Sequence, residues 1–220
     1  MVISQFFIPE TSAVSSTLMK ISVPFTFANI FQSLWCASFR PKYQGKYAFI
    51  SAAMLSSIAY SLSHAHAIYA SKNNYSKIEY CLLFLPLSLH FGWTSAATLV
   101  NWNGSVAKQD PGIISTPRTM AILGTLSAVV AALLGSYVTI VKNAPIYGGV
   151  ISWALAAVSD GMKKRLKADQ ASSGDDEAKK KIVGYTLGAR PMQYLCAAGS
   201  LITGVASLFV SISSRTKSKF

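Results

Sequence analysis

From Cys81 to Trp102 the chain reads CLLFLPLSLHFGWTSAATLVNW, with no formally charged residue and a single interrupting proline. About twenty residues rising 1.5 Å each match a hydrocarbon core of about 30 Å. A soluble helix of this length would carry a polar face, whereas this one offers scattered hydroxyls, one histidine and one asparagine. Similar stretches recur along the chain. The sequence is therefore built to meet lipid.

Composition agrees. Of 220 residues, 51% are hydrophobic and 13% charged, with a mean hydropathy of +0.38, where soluble domains carry about 25% charge. The net charge of +12 could suggest nucleic acid, but its placement argues otherwise. Basic residues sit in short runs between apolar stretches: Arg40, Lys42 and Lys46; Lys163, Lys164, Arg165 and Lys167; Lys179, Lys180 and Lys181; Arg215, Lys217 and Lys219. That is juxtamembrane placement, and the expected partner is the bilayer, with no nucleic acid. Cys36, Cys81 and Cys196 lack CxxC spacing and read as small packed residues rather than disulfide or zinc ligands. Met1–Ser16 lacks a basic region ahead of an apolar core, so no signal peptide is expected; the chain reads as mature or as missing its true start.

Six spans are predicted, at Thr17–Phe39, Tyr47–Ala70, Ile78–Trp102, Thr119–Val141, Ala144–Val158 and Met192–Ser213. The fold class is all-α, a polytopic transmembrane helix bundle forming one domain over residues 1–220. Lys142-Asn143-Ala144-Pro145 predicts a tight turn that makes spans four and five antiparallel neighbours. The charged segment 161–191, centred on ADQASSGDDEAKKK, has no apolar face and is predicted to be a mobile loop. With six spans, the segments Arg40–Lys46, Asn103–Arg118 and Lys163–Arg190 share one side and hold most of the basic residues. Lys20, Lys72, Lys77, Lys142, Arg215, Lys217 and Lys219 lie opposite. The positive-inside rule puts the long charged segment in the cytosol or its equivalent, with both termini across the membrane.

Spans four and six carry stripes of small residues: Gly124, Ala128, Ala132 and Ser136 in one, Gly199, Thr203 and Ser207 in the other. Lipid gives helices no hydrophobic reason to associate, so close approach over small residues supplies the packing. The contacts are expected within the chain, with pairing between copies as the alternative.

Polar and aromatic groups concentrate in span three. Pro86 removes a backbone donor and predicts a bend. His90, Trp93, Ala97 and Asn101 share one face by helical spacing. An imidazole, an indole N–H and a carboxamide are costly against lipid, so that face is expected to look into protein. Two readings stand: interhelical hydrogen bonding worth about 1 kcal/mol per bond, or a cavity where an indole wall stacks on a flat ligand. His64 and His66 close span two and read as interfacial, with haem or chlorophyll ligation as the alternative; His90 has a similar claim as an axial ligand. Asp160 reads as an interfacial carboxylate. No GxSxG, HExxH, Walker-type loop, carboxylate pair or Rossmann glycine cluster occurs, and the chain is expected to be non-catalytic.

The residues LPLSLHFGWTSAATLVNWN (Leu85–Asn103) resemble a helix of the TspO/translocator protein superfamily, and most of all its longer tryptophan-rich sensory protein relatives. Pro86, Ser88, Gly92, Trp93, Ala97, Thr98 and Asn101 match that pattern in place. FANIFQSLWCASF (Phe27–Phe39) is similar to an LNxxW-type segment, with Trp35 kept and Gln32 where Asn is usual. IYGGVISWALAAV (Ile146–Val158) is similar to a third segment through Tyr147, Trp153, Ala154 and Leu155. The family's opening helix, with its Trp-Gly signature, has no counterpart before residue 17. The resemblance thus implies a five-helix core, complete or lacking its first helix, plus extra C-terminal helices.

It also implies binding, transport or sensing of a flat lipophilic molecule, such as a sterol or a porphyrin- or chlorophyll-type tetrapyrrole. Trp35, Pro86, His90, Trp93, Asn101 and Trp153 are then the ligand-binding positions, with no metal. The indoles would be stacking walls and Asn101 a polar contact or helix bridge; His90 stands where relatives often carry an aromatic. The competing expectation is a structural subunit of a homodimer or larger membrane complex, for example a pigment–protein assembly. Ion-coupled transport is a weaker third, because buried charge pairs and internal repeats are missing from the sequence.

Overall fold

The apolar stretches become six helices in a computed structural model that describes residues 13–38, 40–43, 45–72, 76–109, 116–171 and 176–217. They are α1 (Ala13–Ala37), α2 (Phe49–Ala70), α3 (Leu85–Ala107), α4 (Pro117–Val141), α5 (Pro145–Ala171) and α6 (Asp176–Lys217), with no strand among the described residues. Four segments are long and apolar enough to cross a membrane: Gly45–Ala70, Lys77–Ala107, Arg118–Val141 and Arg190–Ser213. Six were expected. The other two helices fall short in apolarity rather than length. α1 carries Lys20 with several Ser, Asn and Gln residues, and α5 turns charged after Val158. Both are nonetheless part of the bundle, since Ile21, Ala28, Tyr147, Ile151 and Leu155 are buried in its core.

α1 packs on α2 and α2 on α3, while α4, α5 and α6 pack on one another, and α3 joins the two groups through α4 and α5. The outer surface is as apolar as the interior: Leu133, Leu201, Leu208 and Phe209 are each about two-thirds exposed. Lipid rather than water is the solvent that such a surface suits.

The small-residue stripes are used inside the chain. A Cβ on Gly135 would lie 2.8 Å from Thr203 Cγ2 and 2.9 Å from Ile151 Cγ2, which puts α4, α5 and α6 at one close crossing. Gly199 of α6 faces Ala132 of α4 in the same way. Serines then stitch α5 to α6. Ser152 Oγ donates to Ser200 O (2.8 Å), Ser159 Oγ to Gln193 O (3.0 Å) and Ser207 Oγ to Pro145 O (2.6 Å).

The turn between α4 and α5 forms as expected. Asn143 takes the left-handed conformation (φ 49°), and Ala144 N–H donates to Thr139 O (3.1 Å). At Pro86 the accommodation is a π-helical turn over Tyr80–Phe84, just upstream of the proline. Widening the helix there relieves the clash that the pyrrolidine ring makes with the preceding turn.

The segment 161–191 differs from the loop expected of it. α5 runs to Ala171 and α6 starts at Asp176, so 161–171 and 176–191 are helical, while 172–175 lie outside the described residues. Ala, Lys, Glu and Arg are strong helix formers, and a helix leaving the membrane needs no apolar face. Just ahead of this segment, Asp160 of α5 is exposed and pairs with Lys164 one turn on (2.7 Å); the hydrogen bond from Lys164 holds its carboxyl below the ordinary range. The cysteines also divide: Cys196 is packed in the core, but Cys36 and Cys81 are exposed on the outer surface.

Candidate functional site

Three consecutive residues near the end of α3 each reach a different partner. Consecutive helical positions point 100° apart, so Asn101, Trp102 and Asn103 fan out to opposite sides. The Ser51 hydroxyl of α2 donates to Asn101 Oδ1 (3.1 Å), and Trp102 Nε1–H donates to Ser56 Oγ of α2 (2.9 Å). Asn103 Nδ2 donates to Ser127 Oγ of α4 (2.7 Å). The first link extends further, because Trp35 Nε1–H donates to Ser51 Oγ (3.0 Å). Trp35, Ser51 and Asn101 thus form a relay across α1, α2 and α3; Asn101 Oδ1 accepts within it, and Asn101 Nδ2 donates to Ala97 O (3.0 Å).

This relay borders a cavity of about 290 Å³ lined by Ser38, Tyr43, Ser51, Asn101, Gly104 and Lys108, among others. Its size falls at the small end of the range for small-molecule sites, about 300–1,000 Å³. The lining sets hydroxyls, one carboxamide and a cation among apolar surface and holds no carboxylate, which makes it the more polar of two cavities in the bundle. A second cavity, of about 280 Å³, lies between α3, α4, α5 and α6. Its walls are aliphatic, with Leu99, Ile151, Leu155, Met162 and Met192 prominent, and no aromatic ring lines it. Val100 lines both cavities.

The six residues singled out from sequence separate into groups. Trp35 and Asn101 meet through Ser51. Trp93 and Trp153 meet each other, ring centroids 5.9 Å apart, but on the outer surface at 53% and 60% exposure. The expectation that their face looks into protein is therefore corrected at Trp93: an indole is mostly hydrocarbon and tolerates lipid contact that a carboxamide would not. Pro86 is exposed and His90 half-buried, and neither lines a cavity described above.

Sequence reasoning missed His66. It was read as interfacial, yet it is 1% exposed, with Nε2 3.1 Å from Ser88 Oγ. Phe84 and Phe91 lie against its ring at 5.0 and 5.4 Å. The ring is enclosed and its Nε2 is engaged by Ser88, so no space is left at that nitrogen for an axial bond to a tetrapyrrole in this structure. His64, by contrast, is exposed beside Tyr60. Among the described residues, no three His, Cys, Asp or Glu side chains converge as a metal site would need. Also missed was a buried clasp between α2 and α3. Glu79 Oε1 accepts from Tyr69 Oη (2.7 Å) and from Lys72 Nζ, with Glu79 and Tyr69 both buried.

These features define an integral, multi-pass membrane bundle with a polar relay at one end of a central helix. The model of the family described as TSPO-like protein matches residues 1–168, and the chain belongs to that family. The match takes in α1 to α4 and nearly all of α5, and α6 lies beyond it. No curated protein and no solved structure matches the chain.

Proposed function

We propose that this TSPO-like protein binds a flat lipophilic ligand, a tetrapyrrole or a sterol, for transport or sensing and without turnover. The observation that carries this reading is the convergence of Trp35 and Asn101, two of the positions implied by resemblance, through Ser51 at the wall of the polar cavity. Ser51 and Asn101 line that cavity; Trp35 stands behind them and, through Ser51, holds the carboxamide in one geometry, which gives a ligand a set polar contact. The Trp93–Trp153 pair on the lipid side of α3 supplies an aromatic surface where a ligand arriving from the bilayer would first land.

The assembly reading draws less support, since the small-residue faces of α4 and α6 on which it rested are packed against each other. Titration of a porphyrin into the detergent-purified chain, followed by its own absorbance, tests the binding reading. Wild type is expected to saturate. Asn101→Leu and Trp35→Phe should each weaken Kd about tenfold, as loss of roughly 1–1.5 kcal/mol of polar interaction would do. Unaltered affinity in both variants would overturn the reading.

The orientation that goes with this function places the polar cavity at the basic, cytosolic-equivalent end. In a background with Cys36, Cys81 and Cys196 replaced by Ala, a cysteine at exposed Lys163 is expected to react with a membrane-impermeant maleimide only in inside-out vesicles. Labelling in right-side-out vesicles alone would reverse the topology.

A further inference from the structure

We infer that the two cavities together form one binding site for a long-chain carboxylate, its head at Lys108 and its chain in the aliphatic cavity. The inference rests on the proposed ligand-binding role only in treating the polar cavity as a site. The cavities are neighbours across one residue, Val100, which is 57% exposed. Beside it Gly104, a lining residue of the polar cavity, has open space where a Cβ would stand. A slender molecule lying over Val100 and Gly104 would therefore reach both.

The chemistry of the two ends differs in the way an amphiphile requires. In the polar cavity, the hydroxyl protons of Ser38, Ser51 and Ser105 are spent on Trp35 O, Asn101 Oδ1 and Asn101 O. The Lys108 ammonium and the Tyr43 phenol are lining donors outside those bonds. Two donors, one of them cationic, suit the two oxygens of a carboxylate. Arg40, Lys42 and Lys46 flank this end of the bundle; Lys42 Nζ sits 4.7 Å over the Tyr43 ring, and Gln109 Nε2 donates to Lys46 O. An anionic head is thus met by positive charge, and no acidic side chain lines the cavity.

The other end offers no aromatic ring on which a flat conjugated ligand could stack, and its walls suit a flexible chain. Its walls offer Leu, Ile, Val, Ala and two methionines, whose flexible thioethers adapt to a chain. Asn103 is its main polar wall group, and its amide is already engaged by Ser127 Oγ and Leu99 O. Met192 and Cys196 come from α6, beyond the family match, while the rest of this wall, from Ala96 to Met162, lies within it.

The test uses the full chain in nanodiscs of zwitterionic phosphatidylcholine and a fatty acid carrying a diazirine near its chain end. Crosslinks are expected at Met162, Met192 and neighbouring positions of α4–α6. Ala154→Phe, which fills the aliphatic cavity, should abolish them, and Ala157→Phe, on the exposed side of the same helix, should not. Lys108→Gln should weaken binding of the acid about tenfold and leave the alcohol of equal chain length unchanged. Crosslinks spread evenly over the lipid-facing surface, or equal loss for acid and alcohol, would overturn the inference. A protein that still binds porphyrin while failing these criteria would lose this inference and keep the proposed function; one that binds neither would lose both.

Discussion

Gly148→Ala is expected to loosen the α4–α5 hairpin severely, because the added methyl would land on the Thr139 hydroxyl. Thr139 is fully buried, and its Oγ1 is fixed by donation to Gly135 O (2.6 Å), so it cannot swing away. The turn at Lys142–Ala144 is too short to let the helices part locally. Overpacking of this kind costs about 1–3 kcal/mol, which would appear as an earlier midpoint when the protein is unfolded by SDS in mixed micelles. Thr139→Ala removes the obstructing oxygen. The double variant should then recover part of the loss, giving a coupling of about 1 kcal/mol between the two sites. Strict additivity would mean that the helices do not approach as closely as described.

The buried clasp supplies the second large effect, and it is asymmetric. Lys72→Met leaves the Glu79 carboxylate buried with Tyr69 as its remaining side-chain donor, whereas Glu79→Gln keeps an acceptor for Tyr69 and frees a lysine that is 21% exposed and can extend to water. Stranding a buried charge is costly, while releasing a partly exposed one is not. Lys72→Met is therefore expected to cost about 1–3 kcal/mol and Glu79→Gln under about 1 kcal/mol. The same SDS midpoint measures both, and equal effects would show that the carboxylate finds water within the hairpin.

The membrane class was legible because it depends on composition over long windows, and the apolar runs that become α2, α3 and α4 announce themselves. The turn at Asn143 and the inward small-residue stripes were legible for a different reason: each is a local pattern with one good structural answer. The charged half of α6 was not. Absence of an apolar face distinguishes a core helix from a loop, but not a loop from a helix standing in water.

At the site, Trp35 and Asn101 could be picked out by resemblance, yet Ser51, whose hydroxyl joins them, is one of many serines in α2 and has no signature. His66 fails similarly, since its burial follows from how α2 is turned toward Ser88, 22 residues away. Trp93 was misplaced because the indole was weighed by its N–H and not by its hydrocarbon area.

The fan of Asn101, Trp102 and Asn103 has a consequence for how α3 is held. Apolar surface alone distinguishes weakly between azimuths for a rod that has lipid on one side and aliphatic neighbours on the other. Three adjacent links aimed in three directions act as a keyway that admits one azimuth. Insertion of a single residue ahead of Asn101 would turn the key by 100° and lengthen the rod by only about 1.5 Å, disengaging all three together while its greasiness is unchanged.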